Sequence, residues 1–316
     1  MKERKRREVG IVKILIAGAG AVGGYAAARM LEAGADVTLL VRENRKRLLE
    51  ENGLTVISPV GNFSGKPKVI TAGEAAGPYD LIVVAMKAYG LEQALEDLRP
   101  YAGENTALLP FLNGIRHMDL ITASFPGRPL LGGVARIETT LDEQGRIVHF
   151  SPMQSFTYGR YGDMTDERYA ELRTELSKIP LLREHDDIVR DLWEKYMFIS
   201  VMSGLTTLFD ATVGEIRDAA GMVPFERFSA EAANTIAAAG GRLGDGIRER
   251  QLQAIAGMAP GSTTSMLRDM RQGLPTESRH IQGYLLELAG RHGIDTPLLE
   301  TAYHKLSIYE NAKRTR

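Results

Sequence analysis

Gly18-Ala19-Gly20-Ala21-Val22-Gly23, followed at once by Gly24, constrains this chain more than any other stretch. It lies between an apolar run, Ile11 to Ala17, and a segment, Ala21 to Ala33, whose apolar residues recur at helical spacing. In that setting the first glycine permits a tight turn, the second lets backbone approach a bound group closely, and the third lets the helix pack against the strand. The N–H groups of the opening helix turn then favour an anion. A second β-branched run, Val37 to Val41, completes a strand-helix-strand unit. Gly18, Gly20, Ala21, Val22 and Gly23 therefore read as the pyrophosphate cradle of a dinucleotide site, with a ligand-free glycine turn as the competing reading.

The end of the second strand decides which dinucleotide is expected. An acidic residue there accepts the ribose hydroxyls of NAD, whereas a basic one accommodates the 2'-phosphate of NADP. Arg42 occupies the position, Asp36 precedes the strand, and Arg45, Lys46 and Arg47 add positive charge just beyond. NADPH is the expected cofactor, and a solvated arginine at a helix start is the alternative for Arg42. Ligands bind beyond the carboxyl ends of parallel strands, which adds Lys87, after Leu81 to Met86, and Asn113, after Ala107 to Leu109.

The rest of the chain supports an α/β Rossmann-type N-terminal domain followed by an all-α C-terminal domain. With Gly132 to Ile137, the strand candidates are apolar throughout, as in a parallel sheet covered on both faces. Leu91 to Leu98 is helical, and Ser58 to Gly65 reads as a turn between two short strands. From Asp166 onward helical patterns dominate, through Ile188 to Phe209, Pro224 to Leu243, Arg248 to Ala256 and Thr276 to Arg291. The expected division is a disordered basic N-terminus over 1–10, a nucleotide domain over 11–185 and a helical substrate domain over 186–316. With 39 basic and 40 acidic residues among 316, no net field draws the chain to nucleic acid or to a membrane. Cysteine is absent, and no apolar run approaches the roughly 18 to 20 residues of a spanning helix. A cytoplasmic protein acting on a small molecule is expected, and a homodimer is compatible with that.

Reduction of a ketone needs a proton donor beside the carbonyl. On the helical stretch Ile188 to Phe209, Lys195 falls on the same side as Ile188, Leu192, Ile199, Met202 and Thr206, where an ammonium is costly unless paired. A snorkelling lysine or a structural ion pair would satisfy the same pattern. Glu277 repeats the anomaly beside Ile281, Tyr284 and Leu288, although a carboxylate soon after Pro275 also suits a helix start. Ser265 and Asp269 lie one helical turn apart. His117, His149, His185, His280, His292 and His304 lack metal-ligand spacing and read as surface or core histidines.

These residues together resemble the ketopantoate reductase (2-dehydropantoate 2-reductase) family from Ile14 to Glu310. The resemblance is carried by Ile14 to Gly24, Val84-Ala85-Met86-Lys87-Ala88, Leu112-Asn113-Gly114, Leu192-Trp193-Glu194-Lys195, Gly214-Glu215-Ile216, Ser265 to Asp269 and Pro275-Thr276-Glu277. It implies reduction of 2-dehydropantoate to pantoate on the way to pantothenate and coenzyme A, with Lys195 as general acid. Glu277 would position substrate and lysine and also serve the cofactor, and Asn113 would lie near nicotinamide and substrate. Ser265, Asp269 and Ser203 would contact the substrate, and Arg42 and Lys87 would hold the 2'-phosphate. Some relatives carry asparagines four and eight residues after the lysine; here those positions are Ile199 and Ser203. Two alternatives follow: reduction of another 2-oxo acid on the same scaffold, and a non-catalytic NADPH-binding regulator.

Overall fold

The computed structural model describes residues 12–314, which divide into two compact units. The first comprises residues up to Met86, Gly90–Leu112 and Ile121–Ile188; the second comprises Lys87–Tyr89, Asn113–Leu120 and Val189 onward. The expected basic N-terminus lies outside the described residues.

In chain order the first unit carries β1 (Lys13–Ala17), α1 (Ala21–Glu32), β2 (Asp36–Leu40), α2 (Glu43–Asn52), β3 (Leu54–Ile57), β4 (Phe63–Gly65), β5 (Lys68–Ile70) and β6 (Tyr79–Val84). There follow α3 (Leu91–Leu98), β7 (Ala102–Pro110), α4 (Arg116–Ser124), β8 (Leu130–Leu141), β9 (Ile147–Tyr161), α5 (Asp166–Leu176) and β10 (Leu182–Glu184). The first residues of α4 belong to the second unit. The strands form one sheet in the order β4-β3-β9-β8-β7-β6-β1-β2-β5, with β10 on β9. β1 lies between β2 and β6 and runs parallel to both, Ile14 opposite Val37 and Leu81. The chain thus leaves β1 toward one side and returns on the other, which puts the Gly18 turn at a topological switch point. Ile14, Leu15, Ile16 and Ala17 are fully buried, as a strand covered on both faces requires.

The sheet is mixed, with antiparallel pairs beside the parallel core around β1. β8 and β9 form a long antiparallel hairpin, and β3 and β4 a short one. β9 gives little sequence signal because its inward and outward positions alternate irregularly and it contains Pro152, a residue that reads against a strand.

The second unit holds α6 (Ile188–Phe209), α7 (Val213–Ala220), α8 (Val223–Ala238), α9 (Ile247–Ala256), α10 (Ser265–Arg271), α11 (Gln282–His292) and α12 (Pro297–Arg314). α8, α11 and α12 pack on one another. Phe225, Phe228, Leu285, Leu299 and Leu306 are fully buried among them, each worth about 1.5–3 kcal/mol of burial. Gly204 of α6 admits Phe228 so closely that an added Cβ would lie 2.4 Å from its ring.

Two helix boundaries differ from the sequence expectation. The Pro224 to Leu243 helix stops at Ala238, where Gly240 takes φ +76° and its N–H returns to Ala237 O. The helix expected over Thr276 to Arg291 begins only at Gln282, because residues 276–281 form a turn in which Glu277 O accepts from His280 and Ile281 N–H. No single helix among the described residues is long and apolar enough to cross a membrane.

Candidate functional site

In the first unit, the glycine turn has the local geometry that its sequence requires. Gly18 takes φ +97°, and an added Cβ would lie 2.7 Å from Ala85 O. At Gly23 a Cβ would lie 2.0 Å from Gly18 O, so only glycine lets α1 start this close to the strand ends. Gly20 differs: a Cβ there would meet nothing within 4 Å, so its freedom from a side chain serves approach from outside rather than packing. Gly20 caps α1 without a side-chain bond, and no acidic residue stands in the first turn with Ala21 and Val22. An anion is the natural complement to those N–H groups. The turn therefore fits a dinucleotide pyrophosphate on steric and electrostatic grounds.

The basic run beyond β2 divides its labour. Arg42 caps α2, is exposed, and has its Nη2 atom 3.6 Å from where a Cβ on Gly90 would lie. Lys46 Nζ is 2.6 Å from Glu74 Oε1, and that ion pair, with two bonds from Thr71, holds the Glu74 carboxyl down to about 2. Arg47 donates to Asn44 Oδ1 at 2.6 Å. Arg45 turns back onto the glycine turn and donates to Ala19 O. Of the four, Arg42 is the one that local structure leaves exposed and without such a bond among the described residues.

The second unit gathers the remaining candidates. Lys87 Nζ donates to Asp269 Oδ2 at 2.6 Å and lies 3.6 Å from Glu277 Oε2. Burial opposes the Lys87 charge, but Glu277 and Asp269 outweigh it and raise its pKa. Glu277 is 5% exposed, and its Oε1 accepts the Ala88 N–H at 2.9 Å. The Glu277 turn is fastened on two further sides. Tyr196 on α6 donates to Ile281 O at 2.7 Å, and Gly114, at φ +86°, packs so closely that a Cβ would lie 3.0 Å from His280 O. Asn113, half-buried, sits in this same bend.

α6 is buried on most sides, so an apolar stripe discriminates less than its sequence suggests. Ile188, Leu192, Met202 and Thr206 are buried, whereas Lys195 and Ile199, one turn apart, share a half-buried edge. Lys195 lies close enough to His117 on α4 for its charge to act there. Burial first, then Lys195 and His280, push His117 down to about 3. Below the ordinary value of 6.5 the unfolded chain binds a proton here that the folded chain refuses. Stability is thus full above that value and falls with acidification until about 3, by up to about 1.4 kcal/mol per pH unit. His117→Leu is expected to flatten the acid limb of a denaturant-midpoint profile; an unchanged slope would refute this.

Ser203 and Ser265 are placed differently. Ser203 is 4% exposed, and its Oγ donates to Ile199 O and accepts from Gln282 Nε2 at 2.7 Å, so its hydroxyl is engaged inside the helices. Ser265 is exposed at the start of α10, which Thr264 caps by accepting from Leu267 N–H. The Gly214-Glu215-Ile216 motif is architectural: Glu215 closes a capping box with Thr212, and a Cβ on Gly214 would strike Pro260.

Sequence reasoning did not single out His117, Gln282 or the Ala88 N–H. The proximity of His117 to Asn113-Gly114 was the available signal. Nothing in sequence announces a backbone donor 189 positions from its acceptor.

Comparison with known proteins agrees with this arrangement. The family model described as Ketopantoate reductase PanE/ApbA matches residues 14–163, and its C-terminal counterpart matches 187–310. The chain is 37% identical over 306 residues to the uncharacterized oxidoreductase YkpB of Bacillus subtilis, covering 96% of this chain and 100% of that protein. It is 26% identical to a 2-dehydropantoate 2-reductase of Mesorhizobium japonicum, over 92% of this chain and 95% of the other. The crystal structure of 2-dehydropantoate 2-reductase from Geobacter metallireducens is 28% identical and superposes with a TM-score of 0.83, over 94% of this chain and 99% of that one. The chain belongs to the ketopantoate reductase family of dinucleotide-binding oxidoreductases.

Proposed function

We propose that this chain reduces the C2 ketone of 2-dehydropantoate to (R)-pantoate with NADPH, as a step toward pantothenate and coenzyme A. The observation that carries this reading is Lys195, held on the half-buried edge of α6 beside a neutral, buried His117. When bound, NADPH supplies the hydride. Gly18, Gly20, Ala21, Val22 and Gly23 would hold its pyrophosphate and Arg42 its 2'-phosphate, whereas Lys87, paired with Asp269 and near Glu277, would serve the site by holding those carboxylates. Reduction leaves negative charge on the carbonyl oxygen, and Lys195 Nζ gives that oxygen its proton. His117, buried and held well below its ordinary value, does not compete for that role. Glu277 positions substrate and lysine and contributes to the cofactor site, together with Asn113. Ser265 helps bind the substrate carboxylate, Asp269 contributes to the substrate site through its ion pair with Lys87, and Ser203 acts there through its hydrogen bond with Gln282.

A second reading, reduction of another 2-oxo acid, is favoured by one specific observation. Ile199 shares the edge of Lys195 and offers no hydrogen bond, and the Ser203 hydroxyl is already engaged. NADPH oxidation with 2-dehydropantoate and a panel of 2-oxo acids tests both. Preference for 2-dehydropantoate supports the first reading and preference for another acid the second; tight NADPH binding without turnover of any substrate would indicate a regulator.

Arg42→Ala separates the cofactors. A charge-assisted bond to the 2'-phosphate is worth about 1.5–3 kcal/mol, so KM for NADPH is expected to rise on the order of 10- to 100-fold. KM for NADH should stay unchanged, and an equal rise for both would place Arg42 elsewhere.

A further inference from the structure

Arg45 stands in the first turn of α2, the end of a helix where a cation is disfavoured by the helix dipole. Its side chain nevertheless is half-buried and makes two directed bonds. Nε donates to Ala19 O at 3.1 Å, and Nη1 donates to Gly145 O at 2.8 Å. Ala19 is the residue between the first two glycines of the turn, and Gly145 lies in the turn that joins β8 to β9. That second turn is braced independently of Arg45. Asp142 Oδ1 accepts from Gln144 and Arg146 N–H, its Oδ2 accepts from Arg146 Nε at 2.7 Å, and Gly145 N–H returns to Asp142 O. Gly145 takes φ +73°, and a Cβ on it would lie 2.7 Å from Arg45 Nη1 and 2.4 Å from Leu48 Cδ2. The arginine is thus a strut from a fixed turn to the glycine turn, and glycine is needed at its foot.

The consequence follows from the planarity of the peptide. In a trans peptide the C=O and the following N–H point in opposite directions, so fixing Ala19 O fixes Gly20 N–H. We propose that Arg45 is a positioning residue for the dinucleotide: it draws the Ala19 carbonyl away from the phosphate side and keeps the Gly20 N–H and the first turn of α1 aimed at the pyrophosphate. It also sets a positive charge one peptide from that anion. This rests on the reading of the glycine turn as a dinucleotide site. It differs from the role given to Arg42, because the pyrophosphate is common to NADPH and NADH.

The test uses the full chain with Arg45→Gln and, to move the guanidinium without removing it, Gly145→Ala. NADPH and NADH affinities are measured by nucleotide fluorescence, alongside the melting temperature of the nucleotide-free protein. Both dissociation constants are expected to rise together, each about tenfold, with their ratio preserved and kcat at saturating nucleotide unchanged. Unchanged affinities with a lowered melting temperature would overturn the proposal and leave a purely architectural strut. Weakening confined to NADPH would overturn it in favour of direct contact with the 2'-phosphate. Wild-type protein that binds neither nucleotide would instead overturn the dinucleotide reading, an outcome distinct from variants that bind as well as wild type.

Discussion

Lys195→Ala is expected to lower kcat for 2-oxo acid reduction by about 10²- to 10⁴-fold, the usual contribution of a positioned general acid. NADPH affinity should barely change, because the residue is assigned to the proton and not to the nucleotide. The fold should tolerate the loss, since Lys195 is half-buried and the neighbouring Leu192 and Tyr196 keep their packing. Steady-state rates with saturating NADPH, paired with a direct binding titration, read both quantities. A variant that retains wild-type kcat would remove Lys195 from the chemistry. A variant that loses NADPH binding and turnover together would show that the lysine supports the site's structure.

The second large effect is expected at Gly23. Alanine there would put a methyl carbon 2.0 Å from Gly18 O and 3.0 Å from Ala85 Cβ, and neither the backbone oxygen nor the buried alanine gives way cheaply. α1 must move off the strand ends, at the about 1–3 kcal/mol that overpacking costs, with loss of the pyrophosphate cradle. Gly20→Ala is the internal control, because a methyl group meets nothing there. Gly23→Ala should therefore lower the melting temperature of nucleotide-free protein and weaken NADPH, whereas Gly20→Ala should weaken NADPH alone. Equal melting temperatures for both variants would contradict the assignment of separate roles to the two glycines.

Much of this was legible in sequence because the features concerned are local. The β1-turn-α1 unit announces itself by an apolar strand, three spaced glycines and a helical repeat, and the structure reproduces it with boundaries only slightly moved. Leu91–Leu98 and Ile188–Phe209 were equally plain, since helical spacing of apolar residues is read within one segment. Non-local features were not legible. The antiparallel return of β9 depends on a partner strand, and its middle, where Phe150 and Met153 are exposed, carries no regular alternation of its own. Glu277 fits a helical stripe with Ile281 and Tyr284 by arithmetic, yet its carboxylate is committed to Ala88 N–H and its carbonyl to a turn, so the helix starts five residues later. Arg45 and Lys46 both read as free positive charge, and only tertiary structure shows them spent on Ala19 and Glu74.

Residues 87–89 and 113–120 belong to the second unit although each is embedded in the sequence of the first. The two halves are consequently not modules that a single cut would release. A fragment starting at Val189 would keep Asp269 and Glu277 but forfeit Lys87, the Ala88 N–H and the Asn113-to-His117 bend. Its carboxylates would face one another without their cation. Exchange of the helical half between relatives to transplant substrate preference would need to carry those two short loops with it, and chimaeras built at a single junction near residue 188 should be the ones that lose it.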